Sequence, residues 1–172
     1  MPGPWYCWYV RNTYLENNLR VPGKVNSLGV PVDLGRVTMP AYLLATREDH
    51  IVPWRTAWQS VKLLSGGTRF VLGASGHVAG VINPVAKKRR SYWSVGEANF
   101  AKGQSALLDG GHDSPEAWLA AASEHPGSWW SDWDQWLAAF GDGMKMAGKD
   151  LGSQSHPVIE PAPGRYVRQR ML

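Results

Sequence analysis

Two short apolar runs decide most of what this chain can fold into. Pro40-Ala41-Tyr42-Leu43-Leu44-Ala45-Thr46 is nearly continuous and is entered from a proline; Arg69-Phe70-Val71-Leu72 is a second, shorter run. Apolar runs without polar alternation suit strands covered on both faces, as in a parallel sheet. Between them Pro53 can open a helix, because a first-turn residue needs no donor. Apolar residues at 54, 57, 58, 61 and 64 then trace one helical face that stops at Gly66-Gly67. Strand, helix and strand with short connections predict a right-handed βαβ unit and an α/β fold with a mostly parallel sheet.

Each run passes into a polar loop: Arg47-Glu48-Asp49-His50-Ile51-Val52-Pro53-Trp54 after the first, Gly73-Ala74-Ser75-Gly76-His77 after the second. Loops that follow adjacent parallel strands meet at the carboxyl edge of the sheet, where α/β enzymes place their sites. An imidazole base needs a carboxylate to hold its tautomer and stabilise its charged form. Aspartates and histidines in loops are common, and it is the strand-by-strand placement that singles out Asp49 and His77. Acid then histidine is the order in which an α/β-hydrolase delivers the last two members of its triad, after a nucleophile on a Gly-x-(Ser/Cys)-x-Gly elbow. No such elbow occurs in these residues, so the chain reads as the back half of an enzyme. Glu48 and His50 flank Asp49 and are expected to point elsewhere. His112, His125 and His156 have no comparable setting, and no spacing resembles a zinc site, so no metal is expected. The single cysteine, Cys7, sits in an aromatic, helix-like segment without the glycine turn a nucleophile needs; a packed thiol is expected.

The 172 residues have the length of one ordinary domain, and a hydrophobic fraction of 44% is ample for a core. Ten tryptophans against three phenylalanines would suit a surface that handles apolar material, although most of these rings are expected inside. Residues 5–19 suit a helix stopped by Pro22-Gly23, and Val25 to Val32 a short extended piece. Residues 87–114 read as a basic, Gly-rich loop or insertion. Ser114 and Pro115 are the N-cap and first residue of a further helix. A last helix begins near Ser128, with Trp129, Trp133, Trp136, Leu137 and Phe140 on a face expected to pack on the sheet. Lys87-Lys88-Arg89-Arg90 is read as a solvated basic loop or, as a more distant second reading, a contact for an anionic nucleotide-bearing ligand; no nucleic-acid reader motif accompanies it. With one cysteine no intrachain disulfide can form, which suits a reducing cytoplasm, and neither a signal peptide nor a run of membrane-spanning length is found.

Several stretches together resemble class I poly(3-hydroxyalkanoate) synthase. They are Pro2 through Tyr9, Arg11 through Asn17, Arg47 through Trp54, Arg69 through Pro84, Gly127-Ser128-Trp129-Trp130 and Ile159 through Val167. Residues 94–113 look like a family-variable insertion. The resemblance implies residues 1–36 as the end of a cap or lid, 37–147 as the C-terminal part of an α/β-hydrolase core, and 148–172 as an extended tail. It implies polymerisation of (R)-3-hydroxyacyl-CoA into polyester with release of CoA, through an acyl-enzyme on an elbow cysteine. The histidine matching His77 is then the general base and the aspartate matching Asp49 its support. That nucleophilic cysteine is absent, and the segment holding Cys7 resembles the lid. The resemblance further implies no cofactor beyond the acyl-CoA substrate, a homodimer in the full-length family, and a cytoplasmic location at the polyester granule surface. Met1 stands where the family has an ordinary apolar residue, so the sequence reads as a truncated or mis-started frame. Such a chain is expected to be inactive alone and to expose an aggregation-prone sheet edge. Two rival readings stand beside this one: a non-catalytic remnant that binds granules or full-length synthase, and a hydrolase such as an esterase or depolymerase.

Overall fold

In a computed structural model of the chain, residues 2–96, 111–148 and 150–170 are described. They fall into two units, Met1–Gly141 and Asp142–Leu172. Most of the segment 94–113 lies outside the described residues.

The first unit is built on a four-stranded sheet of β3 (Ala41–Thr46), β4 (Thr68–Gly73), β5 (Ser91–Ser94) and β6 (Ser123–Pro126), in that spatial order. The expected βαβ unit is present: β3 and β4 run parallel, with Ala41 opposite Thr68 and Thr46 opposite Gly73. Their connection is α2 (Trp54–Trp58), which tightens into a 3-10 turn over Gln59–Lys62. Pro53 stands at its N-cap, outside the helix. The sheet is mixed rather than mostly parallel, since β4–β5 and β5–β6 pair antiparallel. Both β5 and β6 escape a reading of the sequence. They are four residues long, and Ser91-Tyr92-Trp93-Ser94 lies in a stretch whose basic and glycine-rich neighbours mask any period-two signal.

Alternation along β3 and β4 sends side chains to two faces. Leu43, Ala45, Phe70 and Leu72 meet Trp54, Trp58 and Val61 of the α2 segment and Trp118 of α3 (Pro115–Ala121). Trp118 is fully buried, with Phe70 set edge-on at 4.8 Å between ring centroids. Ser114 caps α3 as expected, its Oγ accepting from the Ala117 amide at 3.1 Å. Because Trp118 joins two helices to the sheet, Trp118→Ala is expected to lower unfolding free energy by about 3–5 kcal/mol, read from the urea midpoint.

The opposite face carries Tyr42 and Arg69, met by α4 (Trp130–Ala138). Here the expected tryptophan stripe is only half right. Trp136 is buried against Tyr42 at 5.4 Å, and Trp129 also meets Tyr42, at 6.1 Å. Trp133, Leu137 and Phe140, however, are 40%, 42% and 49% exposed. The position facing the sheet is taken by Asp132, fully buried with Arg69. Arg69 Nε donates to Asp132 Oδ1 at 2.9 Å, Nη2 donates to Oδ2, and Nη1 donates to the Val95 carbonyl at 3.1 Å. Tyr42 Oη donates to the same Asp132 Oδ1 at 2.9 Å. Burial, reinforced by the negative charge of Asp132, holds the Tyr42 hydroxyl far above the ordinary phenol range, so it remains a donor.

At the start of the unit α1 (Gly3–Val10) continues into a wider, π-type turn over Arg11–Leu15. The expected helix is there, but α1 has no buried residue, and Cys7 is exposed rather than packed. Aromatics on several sides of one helix leave no single face to pack, which is why the segment's composition misleads. The extended piece is a small antiparallel hairpin, β1 (Asn26–Ser27) with β2 (Val30–Pro31). Its two connecting residues, Leu28 and Gly29, both have positive φ, as a two-residue hairpin turn requires.

The second unit contains a 3-10 turn over Tyr166–Arg168 and no strand among its described residues. Within it, Ser153 and His156 exchange backbone hydrogen bonds of 2.9 and 3.2 Å. Glu160 Oε1 accepts from the Arg165 amide at 3.3 Å.

Candidate active site

The parallel pair does not end where its strands do. Arg47 N donates to Gly73 O at 2.8 Å, and Glu48 N donates to Ser75 O at 3.0 Å. The two loops thus stay laced together beyond the sheet, and Asp49 and His77 leave it side by side. Arg47 also lays its guanidinium over Trp93 of β5, 4.7 Å from the ring centroid, which fixes the entry to the acid loop from the other flank. The Ser75 backbone is in the left-handed region at φ 74°, turning the chain sharply before the histidine.

Asp49 Oδ1 accepts from the amides of Ile51 at 2.8 Å and Val52 at 3.0 Å, and lies 3.6 Å from His77 Nδ1. The Asp49 side chain is 11% exposed and that of His77 39%. The Val52 amide is the largest cause holding the Asp49 carboxyl below the usual carboxylate range. Desolvation opposes it, while the Ile51 amide and the neighbouring His77 and His50 add to it. The sign follows directly: a depressed carboxyl is ionised over the whole neutral range, and what it contributes is lost only as pH falls through its lowered value. In a carboxyl-carbon NMR titration, Asp49 is expected to titrate below the ordinary value of about 3.9; a midpoint at or above it would contradict these hydrogen bonds.

His50 does not point elsewhere. Its ring meets that of His77 edge-on, with centroids 5.3 Å apart. Flanking position in sequence misleads here, because the turn closed by the Asp49 carboxylate brings the next residue back over the histidine loop. His77 therefore has the carboxylate on its Nδ1 side and an aromatic edge at its ring, leaving Nε2 as the atom available to meet a thiol or hydroxyl.

The loop after His77 is wound tightly. Gly80 N donates to Gly76 O at 2.8 Å and Ile82 N to Val78 O at 2.9 Å. A Cβ on Gly80 would lie 2.6 Å from both the Ala74 carbonyl oxygen and the Thr46 methyl, and 2.8 Å from the Gly76 carbonyl oxygen. Only glycine lets the His77 loop settle onto the end of β3.

The remaining histidines stand apart. His125 stacks on Tyr92 at 5.0 Å with its Nε2 3.2 Å from Ser94 Oγ, His112 uses its carbonyl to accept from Lys62, and His156 Nδ1 lies 3.0 Å from Ser155 Oγ. Among the described residues no three His, Cys, Asp or Glu side chains gather as a metal site would require. Nor is any described helix long and apolar enough to cross a membrane.

The basic quartet, residues 87–90, is exposed, as a solvated loop would be. Its position carries more information than its charge. β5 is antiparallel to β4, so its first residue, Ser91, lies beside the carboxyl edge, with Ala74 N donating to Ser91 O at 3.0 Å. The four cations therefore enter the sheet at the same edge as Asp49 and His77. Lys88 lines a cavity of about 330 Å³ with Tyr92, Gly127, Ser128 and Ser131.

A mixed α/β sheet with a histidine and a carboxylate 3.6 Å apart at the carboxyl edge of its parallel pair defines an α/β protein with a candidate acid–base site. Sequence comparison supplies the family: the chain belongs to the poly(3-hydroxyalkanoate) polymerases, matching a C-terminal portion of them. It is 52% identical over 170 residues to the poly(3-hydroxyalkanoate) polymerase subunit PhaC of Cupriavidus necator, a match covering 99% of this chain and 27% of that protein. It is 38% identical over 165 residues to the polymerase subunit PhaC of Rhizobium etli, covering 96% of this chain and 24% of the relative. The chain thus spans about a quarter of the length of these curated relatives. A shorter similarity, 28% over 74 residues, reaches a putative carbamate hydrolase, RutD, of Pseudomonas syringae; it covers 43% of this chain and 29% of that protein. No family profile matches the chain.

Proposed function

We propose that this chain supplies the acid and base of a polyester synthase with an α/β-hydrolase core: Asp49 supports His77, and His77 is the general base for a cysteine carried outside these residues. The observation that carries the reading is the Asp49–His77 pair at the carboxyl edge of β3 and β4 in a chain homologous to poly(3-hydroxyalkanoate) polymerases. On this reading residues 37–147 belong to the catalytic core, 1–36 to the end of a lid, and 148–172 to a tail.

The placement of the pair supports the following chemistry. His77 Nε2 takes the thiol proton, and Asp49, ionised throughout the working range, stabilises the imidazolium through Nδ1. The thiolate attacks the carbonyl of an (R)-3-hydroxyacyl-CoA thioester. The carbon–sulfur bond to CoA breaks, and CoA leaves as the thiol with the proton from His77. A hydroxyl at the end of a polyester chain then attacks the acyl-enzyme, forming the new ester as the carbon–sulfur bond to the cysteine breaks, and its proton passes through His77 to the released cysteine sulfur. No cofactor besides the acyl-CoA substrate takes part, and the synthase works at the surface of its polyester granule as a homodimer.

The basic quartet at the same edge favours a CoA thioester over a neutral ester. CoA carries several phosphate charges, and four clustered cations at the same sheet edge would raise its local concentration. A hydrolase would use the same acid and base with water as the acceptor.

The test is reconstitution. The chain is co-expressed with a separate polypeptide carrying the upstream portion of a relative, including its cysteine elbow, and supplied with (R)-3-hydroxybutyryl-CoA. Release of CoA together with insoluble polyester supports the reading. Free 3-hydroxy acid in place of polyester would make the site hydrolytic. Co-purification with synthase or granules without turnover would make the chain a binding remnant.

A further inference from the structure

Three consecutive residues at the start of α4 each donate a hydrogen bond to the backbone of the loop that carries His77. Ser128 Oγ donates to the Asn83 carbonyl, Trp129 Nε1 to the Gly80 carbonyl at 3.0 Å, and Trp130 Nε1 to the Val81 carbonyl at 3.0 Å. Tandem tryptophans are expensive to place for packing alone, and here both indoles have their polar atom aimed at one short stretch of main chain. Ser128 Oγ also accepts from the Trp130 amide at 3.1 Å, which ties the donors to one another. Asn83 is buried and donates from Nδ2 to the Arg89 carbonyl at 3.2 Å, so the far end of the loop is held as well.

We infer that Ser128, Trp129 and Trp130 form a clamp that positions His77 against Asp49. The inference rests on the reading of that pair as base and acid. The loop leaves β4 at Gly73, turns at Ser75 and rewinds through Gly80, whose missing side chain lets it rest on Thr46 at the end of β3. Residues 80, 81 and 83 are therefore the points at which the height of His77 over the acid loop is set, and they are the carbonyls the clamp holds. The clamp is rigid because α4 is rigid: Asp132, two residues beyond Trp130, is locked to Arg69 in the middle of the sheet. A continuous path runs from β4 through Arg69 and Asp132 to the two indoles and back to the loop that follows β4. A base displaced by about 1 Å can lose two orders of magnitude in rate, so a three-point clamp has a clear use. Ser128, Trp129 and Trp130 are on this view positioning residues, with no contact to reacting atoms required.

The test uses the isotopically labelled chain itself. In the double variant Trp129→Phe with Trp130→Phe the rings are kept and only the two indole donors are lost. Amide order parameters over residues 77–83 are expected to fall from the rigid value of about 0.85 to below about 0.6. The cross-peak between the His50 and His77 rings is expected to disappear. Amides of β3 and β4 keep their protection from exchange, and Leu137→Ala, at a part-exposed position further along the same helix, changes none of these signals. Should the double variant fail to fold, Trp129→Phe and Trp130→Phe singly give the same readout. An unchanged loop, or loosening of loop and sheet together, would overturn the clamp and make the tryptophans ordinary packing residues. None of these readouts involves turnover. An intact clamp in a chain that fails reconstitution would therefore count against the acid–base reading and leave the clamp standing.

Discussion

Asp132→Ala is expected to cost the first unit about 3–5 kcal/mol, because it strands the Arg69 guanidinium in the sheet without its counter-charge. Domains of this size are stable by only about 5–15 kcal/mol, so the variant should unfold at a much lower urea concentration with a similar dependence on denaturant. Arg69 cannot escape by deprotonating, and its backbone is paired in β4 with β3 on one side. Tyr42, which donates to the same carboxylate oxygen, would lose its acceptor as well. Two companions separate a lost charge partner from lost packing. Tyr42→Phe removes one hydrogen bond and is expected to cost about 1 kcal/mol. Arg69→Met combined with Asp132→Leu removes both charges and should recover most of the loss, because a well-packed apolar pair commonly equals or exceeds a buried ion pair. An Asp132→Ala variant within about 0.5 kcal/mol of the parent would show that this pair does not hold α4 to the sheet.

The second large effect concerns chemistry. In the reconstituted synthase, His77→Gln is expected to reduce CoA release by at least about 10³-fold, since glutamine keeps the polarity of the site but cannot accept a thiol proton. Asp49→Asn is expected to cost up to about 10⁴-fold, because an amide neither stabilises an imidazolium nor enforces the tautomer with the proton on Nδ1. The side-chain amide of this variant would also be a poorer acceptor for the Ile51 and Val52 N–H groups, so the thermal midpoint of each variant must be read beside its rate. Coincident midpoints with collapsed rates are the expected pair of results. His50→Phe keeps an aromatic edge against His77 and should retain most activity. Wild-type rates in both His77→Gln and Asp49→Asn would remove these residues from the reaction.

How far the site can be read from residue order depends on range. Asp49 and His77 are legible because each follows an apolar run directly, and a parallel pair joined by one helix must deliver its two carboxyl-end loops together. His50 is not, because its placement depends on a turn closed by the Asp49 side chain, which no periodicity reports. The exposure of Cys7 is hidden in the same way: an aromatic helix suggests a buried side, and α1 has none. Arg69 at the head of an apolar strand is a visible signal of the buried pair. A cation inside such a run demands a buried partner, and Asp132 is an acid on a helix rich in tryptophan.

The βαβ unit, the capped α3 and the family all follow from residue order, because periodicity, capping and turn chemistry act over a few neighbours. The family, in turn, is a matter of residue identity alone. Tertiary structure alone decided the antiparallel β5 and β6, whose four-residue strands are stable only when paired. It alone decided the burial of Asp132 in place of Trp133, Leu137 and Phe140, since a charge enters a core only where a distant partner meets it. The clamp of Ser128, Trp129 and Trp130 on the His77 loop was also settled there: its donors and acceptors are some 45–49 residues apart, and only the packing of α4 on the sheet brings them within reach.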